Sequence, residues 1–507
     1  MSSFLLLNSF FLLAVILYLI FLYKWLSTNN QKNPPPSPPK MPILGNLHQL
    51  GKVPHRSLQS LSQKYGDLML LQLGRKPTLV VSSANAVEGI IKTHELIFSN
   101  RPRSIIASKL LYNGKDVVFA NYGEYWRQMK SICVLQLLST KRVRSFRAIR
   151  EEETALMVEK IMRSIPSVVN LTETFVTLAS DVVCRAAFGR KYSREWRGNF
   201  MVLLKQFVEL LGEFPVGDFV PWLHWIDKVN GLEGKMRKVA KEFDAILEQI
   251  LEEHLHSPNT QGNGHKSDKG EKMKDFVDVL LDVQRDETVG FSVDRESMKA
   301  LILDMFAAGT DTTSTLLEWA MSELLRHPRA LKKLQEEVRR MTAGKATANE
   351  HDLEKMEYLK AVIKETLRLH PPLPLLVSRE SIKDVKVSGC DIAARTQVVI
   401  NAWPIQRDPF FWEEPNEFRP ERFLGSTVDF KGHNFQLIPF GVGRRGCPGI
   451  LFAISGAELV LANLVYAFDW ELPDRAKAET LDMTESAGLS VHRRDPLLAV
   501  ATPYLFA

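Results

Sequence analysis

Cysteine is scarce: Cys133, Cys184, Cys390 and Cys447 are the only four in 507 residues, and no two stand in a C-x-x-C pair. That density and spacing argue against a secreted disulfide scaffold and a structural zinc site, so any cysteine that does chemistry acts alone. A large excess of one charge is also missing. Lys and Arg number 65 against 59 Asp and Glu, for a net +6. This is too dilute to indicate nucleic acid, although one basic face could still dock an acidic partner. No fixed-period repeat runs through the chain. Nor do strands alternate with helices in the βαβ manner that a nucleotide-binding sheet needs. With 45% hydrophobic and 24% charged residues, disorder and collagen are excluded and a large core is possible. Length alone leaves the domain count open.

One long hydrophobic run is present. No charge interrupts Phe4 to Tyr23, and at about 1.5 Å per residue the run spans roughly the 30 Å hydrocarbon core of a bilayer. A cleaved signal peptide is the competing reading, but the run exceeds the usual apolar region of about 7–15 residues and no small-x-small site follows it. An uncleaved transmembrane anchor is expected over residues 1–28. No Lys or Arg precedes it, whereas Lys24, Lys32 and Lys40 follow, which puts the bulk of the chain in the cytosol. Pro34-Pro35-Pro36-Ser37-Pro38-Pro39 forbids helix and favours a stiff polyproline II spacer, so residues 29–42 read as a hinge and 43–507 as the folded catalytic domain.

Beyond the hinge, Ser257 to Lys274 reads as a long surface loop, and Arg142 to Leu255 shows no strand alternation, with Val239, Phe243, Ile246 and Ile250 at helical spacing. Short β-like runs lie at Leu68 to Leu73, Leu79 to Ser82 and Gln397 to Asn401. The expected class is mainly α with small β-sheets (α+β).

The most informative segment is Pro439-Phe440-Gly441-Val442-Gly443-Arg444-Arg445-Gly446-Cys447-Pro448-Gly449. Its glycines let the backbone approach a flat ligand closely. A lone cysteine needs something to stabilise its thiolate, which a metal does outright, and Arg444 and Arg445 suit carboxylates. Gly441 to Gly446 also matches the dinucleotide fingerprint G-x-G-x-x-G, yet no strand–turn–helix unit surrounds it. An inert buried cysteine is the other alternative. A second segment, Ala307-Ala308-Gly309-Thr310-Asp311-Thr312-Thr313, interrupts a helix expected from Asp294 to Arg326, and Gly costs about 1 kcal/mol there. It is either a solvated surface cluster or a place where Gly309 opens the backbone to a ligand while Asp311 and Thr312 handle protons.

Phe440, Gly443, Arg445, Cys447 and Gly449 together resemble the F-x-x-G-x-R-x-C-x-G signature of the cytochrome P-450 family of haem-thiolate monooxygenases. Ala308 to Thr313 is similar to the family's A/G-G-x-D/E-T-T/S motif. Glu365-Thr366-Leu367-Arg368 resembles its ExxR helix and Pro420-Glu421-Arg422-Phe423 its PERF segment. By this resemblance the fold is the cytochrome P-450 fold, with Cys447 the axial ligand of the iron of haem b and Arg445 pairing with a propionate. Asp311 and Thr312 deliver the protons that oxygen activation needs, and Glu365, Arg368 and Arg422 form a fold-forming charged cluster. Trp126 and Lys130 match the family's W-x-x-x-R helix, with lysine in place of arginine, and Arg379 stands where another propionate-binding base is often found.

The hinge and Asn401-Ala402-Trp403 look like plant microsomal A-type enzymes of the endoplasmic reticulum membrane. Such enzymes take electrons from a separate NADPH–cytochrome P-450 reductase and use O2 on small apolar specialised metabolites such as terpenoids, alkaloids or coumarins. The resemblance also implies a substrate pocket of Ile105, Ile106, Leu110, Leu303, Met305, Ala307, Ala308, Leu375, Leu376, Val377 and Leu489, with few charges apart from Lys109 and Asp304. Membrane lipid is an expected partner and nucleic acid is not. The competing function is a membrane-tethered haem- or lipid-binding protein without turnover.

Overall fold

The computed structural model describes residues 10–13, 15–19, 32–191, 194–256, 274–286, 291, 293–486 and 488–504. Most of the expected anchor and all but the last residue of the expected loop at 257–274 lie outside the described residues. Within the anchor, 10–13 and 15–19 are helical with exposed side chains such as Phe10 and Phe11. The proline run lies along the folded domain, where the Leu70 N–H donates to the Pro36 carbonyl (2.8 Å).

Helices dominate. Those that frame the site are α1 (Glu124–Ile132), α2 (Leu171–Phe188), α3 (Leu232–Leu255), α4 (Arg295–Arg326), α5 (Glu357–Leu369) and α6 (Ile450–Ala467). Among the described residues, the stretch from 142 to 255 is a series of helices joined by short turns, with one two-residue strand, Val169–Asn170. The axial element is α4, which starts where the Asp294 side chain accepts from the Ser297 N–H (2.7 Å), a cap for an otherwise orphaned donor. It ends at His327, whose extended backbone the following Pro328 enforces. Apolar side chains cover nearly its whole circumference, so it is buried on all sides, packed against α2, α3, α5 and α6. Among the described residues only α6 is long and apolar enough to cross a membrane, but more than half of it is buried and its side chains form part of the core around α4.

The larger sheet has four strands: β1 (Leu68–Leu73), β2 (Lys76–Val81), β3 (Arg379–Glu380) and β4 (Gln397–Ile400), in the spatial order β1-β2-β4-β3. Alternation sends Met69, Leu71 and Leu73 inward. Gly74 at the hairpin turn has φ +58°, and a Cβ there would sit 2.3 Å from the Phe219 carbonyl oxygen, so glycine is required. The two-residue strand β3 pairs antiparallel with β4, Arg379 opposite Val398, which fixes where the Arg379 side chain emerges.

A charged cluster ties α5 to the chain that leads into the cysteine loop. Glu365 accepts a bidentate pair from Arg368 (2.7 and 2.8 Å), both side chains fully buried, and a further bond from Arg422 Nε (3.0 Å). Arg368 also donates to the carbonyls of Gln406, Pro415 and Glu417. Gln406 Oε1 then accepts from the Ile438 N–H (2.8 Å), one residue before the loop begins. Removing one partner of such a buried pair typically costs about 3–5 kcal/mol because the other charge is stranded.

Candidate active site

The cysteine loop is a set of tight turns closed by its own backbone. The Cys447 N–H donates to the Phe440 carbonyl (2.9 Å) and the Gly446 N–H to that of Gly443 (2.8 Å). Gly443 has φ +65°, and a Cβ on it would lie 2.2 Å from Glu95 Oε1. Glu95 uses that approach to accept from the Arg444 N–H (2.6 Å) and from Arg444 Nε (3.1 Å). Arg444 is thereby turned outward, and Arg445 inward.

Cys447 Sγ borders an internal cavity of ≈ 280 Å3 and accepts from the Gly449 N–H (3.3 Å). The helix α6 begins at the next residue, so its positive end faces the sulfur. Burial pushes the thiol up, opposed by the Gly449 N–H and by Lys130. A coordinated metal reverses that balance, because a thiol bound to a metal is deprotonated.

Three guanidinium groups line the same cavity: Arg101, Arg379 and Arg445. Arg445 donates to the carbonyls of Ser99, Val117 and Ala120 and lies 4.2 Å over the Trp126 ring. Arg101 donates to those of Val118, Val377 and Ser378. Arg379 donates through one terminal nitrogen to Val442 O (2.6 Å), while its other, Nη1, is buried with no partner. Among the described residues no carboxylate pairs directly with any of the three. Burial and mutual repulsion push Arg101 far down, and burial followed by Arg379 pushes Arg445 down to about 10. Burial likewise brings Arg379 to about 10, with only Glu95 opposing. A cationic cluster with an orphaned donor, facing a single cysteine across a slot bordered by Gly441 and Gly446, fits a flat metal macrocycle carrying two carboxylates. Arg101 was missed by sequence reasoning. It and Arg103 flank Pro102, one buried and one exposed, and nothing local tells them apart.

The two other expected cofactor contacts are engaged with backbone. Trp126 Nε1 donates to Val117 O (3.0 Å) and Lys130 Nζ to Gly446 O (2.9 Å). Both side chains border the cavity, so Lys130 braces the cysteine loop from α1.

On the opposite wall α4 contributes Ala307, Ala308, Gly309, Asp311 and Thr312. A Cβ on Gly309 would press within 3.2 Å of Val183 on α2, so the small residue permits the close helix crossing. Thr312 Oγ1 donates to Ala308 O (2.7 Å), leaving its lone pairs to the cavity. Asp311 Oδ1 lies 3.1 Å from His492 Nε2, while Oδ2 is buried without a partner.

Leu303, Met305, Leu376, Val377 and Leu489 also line the cavity, but Ile105, Ile106, Leu110 and Leu375 do not. The short helix Ile105–Leu110 turns Ile106 and Leu110 into the cluster formed with α3. Leu375 packs instead beside Leu71 and Phe219, and the positive φ of Leu376 (52°) marks the turn that separates the two neighbours. Lys109 is exposed. Asp304 lines the cavity and accepts from the Val117 N–H (2.7 Å). Burial, then Asp116, pushes its carboxyl far up.

A family model described as cytochrome P450 matches residues 35–499. The chain is 54% identical to "Cytochrome P450 736A117" of Prunus mume, over 99% of this chain and 97% of that protein. It is 51% identical to "Norfluorocurarine oxidase" of Strychnos sp (96% and 97%) and 50% identical to "3-beta-hydroxylase" of Tanacetum parthenium (96% and 97%). Zebra fish cytochrome P450 structures with abiraterone and with progesterone share the fold. Their TM-scores are 0.74 and 0.75 at 23% and 24% identity, over 90% and 89% of this chain and 100% and 99% of theirs.

Replacing Arg379 with leucine removes the one orphaned donor of the cationic cluster. Hydrogen bonds to charged groups are worth about 1.5–3 kcal/mol, so haem transfer to a competing apoprotein should speed up by about 10- to 100-fold. An unchanged transfer rate would contradict the assignment of Arg379.

Proposed function

The chain belongs to the cytochrome P450 family and is a monooxygenase, and from that premise we propose that it oxidises, most simply by hydroxylation, a neutral apolar plant specialised metabolite at a haem ligated by Cys447. The observation that carries this reading is that Cys447, Asp311 and Thr312 border one cavity whose remaining wall is largely apolar. Haem, when bound, supplies the redox centre at which O2 is activated.

The chain's own residues do the rest. Cys447 offers its sulfur, with negative charge there favoured by the Gly449 N–H and the start of α6. Arg101, Arg379 and Arg445 hold the two carboxylates. Thr312 keeps a hydroxyl at the cavity surface, and Asp311 beside it is the group that passes protons into the cavity. Leu303, Leu376, Val377 and Leu489 exclude water and accept apolar surface. Asp304 lines the same cavity, and burial pushes its carboxyl far up, which disfavours a charge there and supports a neutral rather than a cationic substrate. The names of two relatives, an oxidase of norfluorocurarine and a 3-beta-hydroxylase, fit oxidation of a small organic molecule. Electrons come from NADPH through a separate reductase, and residues 1–28 tether the catalytic domain to the cytosolic face of the endoplasmic reticulum. Turnover of a metabolite panel in microsomes with a plant reductase tests the proposal. Absence of any oxygenated product despite an intact haem spectrum would count against it.

Thr312→Ala should keep substrate binding and the thiolate spectrum while NADPH consumption yields peroxide in place of product. Acid–base assistance is typically worth about 10²- to 10⁴-fold, so a loss of product per NADPH of about tenfold or more is expected where water partly substitutes. Unchanged coupling would return Thr312 to a structural role. Deleting residues 1–28 should shift much of the protein from the membrane pellet to the soluble fraction with its haem spectrum intact. Loss of haem on truncation would contradict the domain boundary.

A further inference from the structure

His492 belongs to no motif that the sequence offers, yet among the described residues it makes the one ion-pair contact of Asp311. Its ring bridges two residues of α4 one helical turn apart: Nε2 lies 3.1 Å from Asp311 Oδ1 and Nδ1 lies 3.0 Å from Thr315 Oγ1. The backbone that carries it is fixed on both sides. Trp319 Nε1 donates to Val491 O (2.9 Å), the Val491 N–H donates to Pro372 O (2.9 Å), and the Ser486 N–H donates to His492 O (2.8 Å).

The hydrogen-bond inventory requires a proton between the ring and the carboxyl. The Thr315 hydroxyl donates to the Asp311 carbonyl (2.8 Å), so its oxygen accepts from Nδ1–H. Nε2 facing a carboxylate oxygen must then either carry a second proton or accept one from Asp311. If the Thr315 hydroxyl turns to Nδ1 instead, the neutral ring carries its proton on Nε2. In every arrangement one proton lies on the Nε2 to Oδ1 line.

The position is equally specific. Asp311 borders the cavity and His492 does not, although the His492 side chain is 29% exposed. The imidazole therefore has one edge on the cavity's acid and open surface elsewhere. Asp311 Oδ2 is buried and unpartnered, so no hydrogen bond on that oxygen holds the carboxyl against the rotation that would carry a proton from Oδ1 toward the cavity that Asp311 borders.

We propose that His492 is the positioning residue that recharges Asp311, passing its Nε2 proton to Oδ1 and regaining one from solvent. This rests on the reading of Asp311 as the proton donor to the cavity. The groups that bear on the ring agree with it. Burial opposes its charge, as does Lys205 on the neighbouring helix Arg194–Gly212, but Asp311 and then Glu318 on α4 outweigh them and raise its pKa above 6.5. Because the folded value is raised, the proton is held below it and lost as pH rises through it.

The test uses the haem-loaded, full-length enzyme with His492→Gln, which keeps an N–H toward Asp311 but cannot titrate, and with Asp311→Asn. In the diamagnetic carbonmonoxy form labelled with 13C-histidine, the resonance lost in His492→Gln should titrate above 6.5 in the wild type and lower in Asp311→Asn. Product per NADPH in the wild type should fall as pH rises through that midpoint. In His492→Gln it should be several-fold lower at the acidic end and flat with pH, with haem spectrum and substrate affinity retained. If His492→Gln fails to take up haem, His492→Asn serves the same comparison. Wild-type coupling and pH profile in His492→Gln alongside impaired coupling in Asp311→Asn would overturn the role of His492 alone. Unaltered coupling in both variants would overturn the reading of Asp311 as well.

Discussion

Three guanidinium groups buried together, with no carboxylate among the described residues paired to any of them, are the constraint around which this molecule is organised. Leaving a charge uncompensated in a protein interior costs several kcal/mol per ion, and here Arg101, Arg379 and Arg445 also repel one another. Each is held by main-chain carbonyls that come from distant segments: Ser99 and Ala120, Val118 and Val377, Val442. The strand pair β3–β4, the cysteine loop and the chain before α1 are thus fastened to one another through one cationic cluster.

The cavity has two chemically different ends. One end is cationic and carries the cysteine, while the other walls are largely apolar, and burial and then Asp116 push the carboxyl of Asp304 far up. Between the two lies the break in apolar character on α4, where Gly309 lets the helix press against Val183 and Asp311 and Thr312 stand at the surface of the void. Glu365, Arg368 and Arg422 act at a distance. Through Gln406 they set the height at which Ile438 delivers the chain into the loop.

What was legible in the sequence was local. The cysteine loop carries glycines at the positive-φ positions Gly441 and Gly443, and the helix from Arg295 to Arg326 is bounded by an aspartate cap and a proline stop, so both leave a signal in their own residues. Of the residues expected to face a substrate, Leu303, Met305, Ala307, Ala308, Leu376, Val377 and Leu489 line the cavity, but Ile105, Ile106, Leu110 and Leu375 are spent on packing, because which face of a short helix or turn meets the void depends on distant partners such as α3. Arg101 and His492 were illegible for the same reason. His492-Arg493-Arg494 reads as an ordinary basic run until the fold brings His492 against α4, 181 positions from Asp311 in the chain.

The central claim is that Cys447 is the thiolate ligand of a haem seated against the arginine cluster. The measurement that bears on it most directly is the carbon monoxide difference spectrum of the reduced protein, wild type beside Cys447→Ser. The wild type should show the red-shifted band that thiolate ligation gives, and the variant should lose it while remaining folded. A thiolate-type band that persists in Cys447→Ser would contradict the assignment.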